Sequence, residues 1–297
     1  MEMPGAANAS WKRPFFTIAA GQAVSLIGSS AVQFTMIWWL ASQTDSPMVM
    51  SVASLAAFFP MLLLGPFAGV WIDRLRRKRV IIAADLFLGV VAAAFALVYY
   101  RGDPPYWSVY AVMALRSVGN VFHSPALQAA IPMLVPEDQL VRANGYSQFL
   151  QSGSFMLGPV LGAAMYAAWP VHIILLTDLL GALVACAGVA LVRIPDPPRM
   201  ERKPQFLAEM KEGLLALLHD RRTAVVLLFA TLCMTCLLPL SSFYPLMSSS
   251  YFSVSAWHAG LVELVYAGGM LLAAAAASAI GQRMRRKLNW SHFGMVL

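Results

Sequence analysis

Gly69-Val-Trp-Ile-Asp73-Arg74-Leu-Arg76-Arg77-Lys78 is a short basic stretch between two apolar runs, and it has a second copy, Ser278-Ala-Ile-Gly-Gln282-Arg283-Met-Arg285-Arg286-Lys287. Arg74, Arg76, Arg77 and Lys78 fall on Arg283, Arg285, Arg286 and Lys287, an offset of 209 residues (74 to 283). A charged hairpin repeated in an apolar chain points to a membrane protein built from two related halves. The offset also measures how much of the second half is here. Ten residues follow Lys287, too few to cross a bilayer, so the chain stops at the equivalent of Leu88. The repeat predicts a parent of twelve spans, of which this chain carries the first eight.

Composition agrees. The chain is 59% hydrophobic and 12% charged, against about 25% charged residues in a soluble domain. Residues 14–44, 46–72 and 223–262 contain no Asp, Glu, Lys or Arg, and a spanning helix needs roughly 20 apolar residues. The first apolar run follows Lys12 and Arg13 as a signal peptide would, but its length of about 28 residues exceeds an h-region, so it reads as an uncleaved span. The net charge of +7 sits in short loops beside apolar runs. That is topology information rather than a nucleic-acid footprint. Cys186, Cys233 and Cys236 lie inside apolar runs and read as small packing residues. Cys233 and Cys236 have the spacing of a redox pair but no basic surroundings to lower a thiol pKa.

The predicted spans are 15–42, 48–72, 80–100, 106–134, 144–168, 171–192, 223–246 and 257–280. The expected organisation is an N-terminal six-span bundle over 1–192, a cytoplasmic linker over 193–222, and the start of a C-terminal bundle over 223–297. Nineteen of the 21 Lys and Arg fall on the N-terminal side of this topology, which places the N-terminus in the cytoplasm. Within the linker, Pro195-Asp-Pro-Pro198 stops span six. Phe206, Met210, Leu214, Leu217 and Leu218 then follow at helical spacing. They read as an amphipathic helix on the cytoplasmic face or as a plain linker helix.

Ionisable groups inside a membrane are costly and default to functional candidates. Arg116 lies ~15 Å into the fourth span at 1.5 Å per residue. Asn120 and His123 follow it at helical spacing, so the three are expected on one face turned to a polar cavity or another helix. Arg116 either takes part in transport and coupling or locks helices together. Glu263, in span eight, either takes up a proton or a cationic substrate or reaches the outer interface. Asp85 and Asp178 read as structural partners of nearby basic loops. Gln22, Ser25, Ser29 and Gln33 give span one a polar edge, and span five carries Gln148, Gln151 and Ser152. Gly158, Pro159 and Gly162 combine small residues that admit close helix approach with a proline that bends the helix. They suit a hinge, or simple packing. Asp73, amid positive charge, can accept hydrogen bonds from a neighbouring helix N-terminus in one conformation of a gate. No zinc signature, nucleophilic triad or phosphate-cradling glycine loop occurs, so neither enzyme chemistry, a metal nor a cofactor is expected.

With these motifs in view, the chain resembles the major facilitator superfamily and, within it, the macrolide-efflux proteins. Gly69, Asp73, Arg74, Arg77 and Lys78 resemble the signature loop between spans two and three. Arg116 with Gly119 resembles the span-four arginine motif, and Gly158-Pro159 the span-five motif of exporters. Gly21-Gln-Ala-Val-Ser-Leu26, Ala84-Asp85-Leu86, Phe122-His-Ser-Pro-Ala126, Leu134-Val-Pro-Glu137, Gly145-Tyr-Ser-Gln148 and Glu209-Met-Lys-Glu-Gly213 are similar to the macrolide exporters. The resemblance implies an all-α polytopic major facilitator fold, here a six-span bundle plus two further spans. It implies a monomeric plasma-membrane antiporter that exports lipophilic drugs by alternating access, driven by a proton gradient. Its partners would be the lipid bilayer and a small lipophilic substrate, with no nucleic acid. Asp73 and Arg74 would then hold the cytoplasmic gate and Arg116 would couple protonation. The alternatives are a truncated, non-transporting fragment or an exporter of an unrelated metabolite.

Overall fold

The computed structural model describes residues 11–72, 75–102, 104–195 and 221–284. Among them are eight long helices: α1 Lys12–Gln43, α2 Pro47–Ile72, α3 Arg77–Tyr100, α4 Tyr106–Leu134, α5 Leu140–Ala168, α6 Val171–Leu191, α7 Arg221–Leu246 and α8 Ala256–Met284. Each falls on one of the predicted spans. Asp73, Arg74, the linker segment 206–218 and the basic residues from Arg285 onward lie outside the described residues.

The helices form because long apolar runs are bounded by turn-forming and basic residues. Pro105 and Pro170 stand at the N-caps of α4 and α6, where a missing N–H costs nothing. Gly102, with φ +147°, makes the turn between α3 and α4, a conformation that L side chains rarely adopt. Prolines also lie inside α2, α4, α5 and α7, as spanning helices tolerate. Among the described residues, five helices are long and apolar enough to cross a membrane by length and composition, α1, α2, α3 and α6 among them. α4 and α5 are as long, but they carry the polar positions of the candidate site. Leu55, Phe58, Met61 and Leu62 of α2 and Leu180 and Leu183 of α6 are exposed, as a lipid-facing surface requires. The protein is an all-helical, multi-pass membrane protein.

Packing does not follow chain order. α1 lies between α5 and α6, α3 packs on α6, α4 on α2 and α3, and α8 on α5. Small residues make the α1 contacts close. A Cβ built on Gly158 would collide with the Cβ of Ser30, and one on Gly162 would stand 2.6 Å from the Ala31 carbonyl oxygen. The opposite side of α1 meets α6, where a Cβ on Gly181 would come within 3.0 Å of the Ser25 Cα. At the far end, Ser250 donates to Asp45 at 2.5 Å and ties the segment after α7 to that after α1.

The buried interior has three layers. One apolar cluster holds Val32, Met36 and Leu40 of α1 with Val91, Phe95, Val109, Met113, Ile174 and Leu175. A second, toward the basic end, holds Ile18 of α1 with Ile81, Val121, Ala126 and Val189. On α1, α3 and α6, and on most of the α4 stretch, the residues between these clusters carry the buried polar groups Gln22, Ser25, Asp85, Arg116, His123 and Asp178.

The glycine contacts give a direct test. Gly162→Val should lower the thermal midpoint of the detergent-solubilised protein, an overpacking cost of ~1–3 kcal/mol. Gly145→Ala, where nothing lies within 4 Å of an added Cβ, should leave the midpoint unchanged or slightly raised. Equal melting of the two variants would refute close α1–α5 packing.

Candidate functional site

The middle layer is built in two tiers. α1 and α4 run antiparallel, so seven residues forward on one match seven back on the other. Gln22 and Ser29 share one face of α1; Arg116 and His123 share one face of α4. The inner tier joins Gln22, Asp85 and His123. Gln22 Nε2 donates to Asp85 Oδ2 at 2.9 Å, and His123 Nε2 lies 3.1 Å from Asp85 Oδ1. That second contact has ion-pair distance but not the alignment of a hydrogen bond. The outer tier joins Ser29, Arg116 and Asp178. Arg116 Nη1 pairs with Asp178 Oδ2. Arg116 Nη2 donates to the Ser29 carbonyl at 3.2 Å, and Ser29 Oγ donates to Asp178 Oδ1 at 2.5 Å.

Burial sets the energetics. Asp85 and Asp178 are 1% exposed and Arg116 is 4% exposed. An isolated charge there would be costly, and only a hydrogen-bonded opposite charge offsets the lost hydration. Arg116 and Asp178 neutralise each other. Asp85 has a histidine instead, whose charge depends on its proton. The outer tier is therefore neutral as it stands, whereas the inner tier is neutral only when it holds one proton.

Two expectations are corrected here. Asp85 and Asp178 do not serve the basic loops; they are the buried partners of His123 and Arg116. The Arg116–Asn120–His123 stripe is also split, because Asn120 is exposed while the other two are buried. Helical geometry explains this: at about 100° per residue, positions four and seven onward fall on opposite sides of Arg116.

A cavity of about 410 Å³ adjoins the inner tier, between α1, α4 and α5. Its polar lining includes Gln22, Ser124, Gln128, Asn144, Gln148 and Gln151, with no charged side chain among the described residues, and Ile18, Leu26, Leu127 and Ile131 contribute apolar surface. Gln148 and Gln151 thus share the cavity with Gln22. Ser29 is instead engaged by Asp178, and Gln33 is half-buried away from the lining. Sequence reading missed Ser124, Gln128 and Asn144; Ser124 and Gln128 lie four apart on α4, and Asn144 and Gln148 four apart on α5, which was the available signal. Glu263 is half-buried on α8, apart from both tiers. Gly158, Pro159 and Gly162 lie where α5 touches its neighbours: α1 at the glycines, and α8 where a Cβ on Gly260 would stand 3.1 Å from the Pro159 carbonyl oxygen.

The described part of the basic loop holds helix ends. Lys78 Nζ donates to the Ala190 and Val192 carbonyls, each at 2.8 Å, satisfying acceptors that the end of α6 leaves open. Arg77 Nη1 donates to the Ala129 carbonyl at 2.6 Å. Gly69 is exposed, with nothing within 4 Å of an added Cβ.

Residues 18–297 match the Major Facilitator Superfamily profile. The chain is 40% identical to macrolide efflux protein A of Streptococcus pyogenes over 281 residues, covering 94% of this chain and 69% of the relative. It is 38% identical to macrolide efflux protein A of Enterococcus faecalis over 245 residues, covering 82% and 76%. A bacterial homolog of the human lysosomal transporter Spinster, crystallised inward-facing and unoccupied, has the same fold, with a TM-score of 0.69 at 13% identity. That match covers 95% of this chain and 65% of the Spinster homolog, so the chain spans somewhat under two thirds of the solved structure.

The site geometry makes Ser29 a support for the outer tier. Ser29→Ala should destabilise the protein by ~1.5–3 kcal/mol, the range for a hydrogen bond to a charged group, read as unfolding in mixed micelles. Ser42→Ala, which removes the hydroxyl of an exposed residue bonded to the Trp39 carbonyl of its own helix, should cost clearly less.

Proposed function

The chain belongs to the Major Facilitator Superfamily, a family of membrane transporters, and we propose that it exports bulky lipophilic drugs of the macrolide type by proton-coupled alternating access. The observation that carries this reading is the cavity with its amide and hydroxyl wall beside a buried layer of paired ionisable groups. A wall of neutral donors and acceptors on apolar surface suits an amphipathic molecule with many hydroxyl and carbonyl groups. The likeness to two macrolide efflux proteins favours that substrate class.

The transport cycle follows from the outer tier. With Asp178 ionised, its tie to Arg116 and Ser29 holds α1, α4 and α6 in one arrangement. Protonation of Asp178 removes one charge of the pair and loosens that tie, which biases a two-state rearrangement. α1 and α5 then move as packed units, with Gly158, Pro159 and Gly162 allowing α5 to bend. In this reading Asp73 and Arg74 lock the cytoplasmic gate, Asn120 faces the transport path, and Glu263 acts as an acidic group of the second bundle. Lys12, Arg13, Arg77, Lys78 and Arg142 gather at the end where the cavity lies. By the positive-inside pattern that end, and the N-terminus with it, is cytoplasmic, so the cavity is inward-facing.

Inverted membrane vesicles test this. A pH gradient, acidic inside, should drive accumulation of a radiolabelled macrolide, and Arg116→Ala should abolish it. Uptake that ignores the gradient, or survives unchanged in Arg116→Ala, would overturn the reading.

A further inference from the structure

We propose that the cavity is a subsite for the sugar of a glycosylated substrate, read by Gln128, Asn144, Gln148 and Gln151, while the bulky apolar body of the molecule lies outside it. This assignment rests on the export reading above, which does not say which part of the substrate the cavity holds.

The four amides are within reach of a ligand. Gln128, Asn144 and Gln148 are exposed and Gln151 is half-buried. Asn144, Gln148 and Gln151 stand at i, i+4 and i+7, so they share one face of α5, and Gln128 adds a fourth amide from α4. Each amide carries a carbonyl acceptor and two N–H donors. Gln148 Nε2 donates to Ser152 Oγ at 3.4 Å and Gln128 Nε2 to Ser124 Oγ at 3.5 Å. Both are long bonds within one helix, and they leave each Oε1 and a second N–H for the cavity.

A wall of groups that both donate and accept is matched by hydroxyls, which do the same. An ammonium only donates and calls for a carboxylate. A carboxylate only accepts and calls for Lys or Arg. The lining offers neither among the described residues. The ester and ketone groups of a macrolactone only accept, so they engage one half of each amide. Several hydroxyls on one ring engage both halves. Amides one turn apart on α5 have Cβ atoms about 5–6 Å from each other, a separation that long amide side chains close onto the hydroxyls of a single ring.

The other wall has the complementary character. α1 presents Ala19, Ala23 and Leu26 to the cavity, again at i, i+4 and i+7, and all three are half-buried. Two alanines keep this wall shallow and flat. A pyranose has apolar C–H faces that can lie on such a wall while its rim of hydroxyls meets the amides. Size agrees with a partial occupant. The volume of about 410 Å³ is near the lower end of the roughly 300–1,000 Å³ of drug-sized pockets. That is room for a sugar and its linkage rather than for a whole glycosylated macrocycle.

Equilibrium binding to the purified protein in lipid nanodiscs tests this with paired ligands. One pair is a fluorescent macrolide and its sugar-free macrolactone; the other is a short-chain alkyl glycoside and the alkyl alcohol of equal chain length. Gln128→Ala and Gln148→Ala should each raise the Kd of the sugar-bearing ligand about two- to tenfold, the loss of one hydrogen-bonding group, and leave the sugar-free ligand unchanged within about twofold. Ala23→Leu, which fills the flat wall, should show the same preference. The effect of Gln148→Ala should persist when the amine of the macrolide is acylated and uncharged. Equal effects on both members of a pair, as a general disturbance of the fold would give, or no effect on either, overturn the subsite. An effect that vanishes on acylation also overturns it, because the wall would then be reading an ammonium. Macrolide binding without discrimination of the sugar leaves the export reading standing. A discriminated alkyl glycoside with no macrolide binding keeps the subsite and counts against the macrolide reading.

Discussion

Charged side chains in the middle of a bilayer must find each other, and this requirement positions much of the bundle. α3, α4 and α6 each carry an ionisable group midway along an otherwise apolar helix. α1 carries the two neutral groups that hydrogen-bond to them. None of these positions is tolerable alone. Satisfying Arg116 and Asp178 together, with Ser29 between them, fixes the rotation of three helices and the depth at which they meet. The inner tier repeats the arrangement two turns away with Gln22, Asp85 and His123. The apolar clusters on either side supply burial, but apolar side chains alone accept many rotations, whereas a paired charge accepts few.

α1 is the element that connects stability to function. Glycines on α5 and α6 let it approach both neighbours at backbone distance, so little slack remains. One end of the same face lines the cavity and the rest reaches the buried carboxylates. A change in charge at Asp85 or Asp178 is therefore felt directly by the helix that forms the cavity wall. Close packing against small residues makes such a helix more prone to shift as a unit than to bend.

The spans were legible because charge-poor apolar runs are bounded by proline, glycine and basic residues. Arg116 stood out because arginine is rare at that depth, and Gln22, Gln148 and Gln151, which line the cavity, stood out as amides recurring on otherwise apolar helices. The partners were not legible. Asp178 follows Arg116 by 62 residues and Asp85 precedes His123 by 38 (178 and 116, 123 and 85), and which helices touch depends on a packing order that chain order does not give. Equal depth was the clue: a lone arginine two to three turns inside a membrane demands a carboxylate at its own level. The helix-capping bonds of Arg77 and Lys78 were equally hidden, because their acceptors are backbone carbonyls with no residue signature.

The claim that paired charges fix the bundle is tested most directly by a double-mutant cycle on Arg116 and Asp178, with unfolding measured in bilayers by steric trapping. Arg116→Gln and Asp178→Asn should each destabilise by ~3–5 kcal/mol, because each leaves a buried charge unpaired. The double variant should lose far less than their sum, since it leaves no charge behind. Additive losses, or single variants as stable as the wild type, would contradict the account.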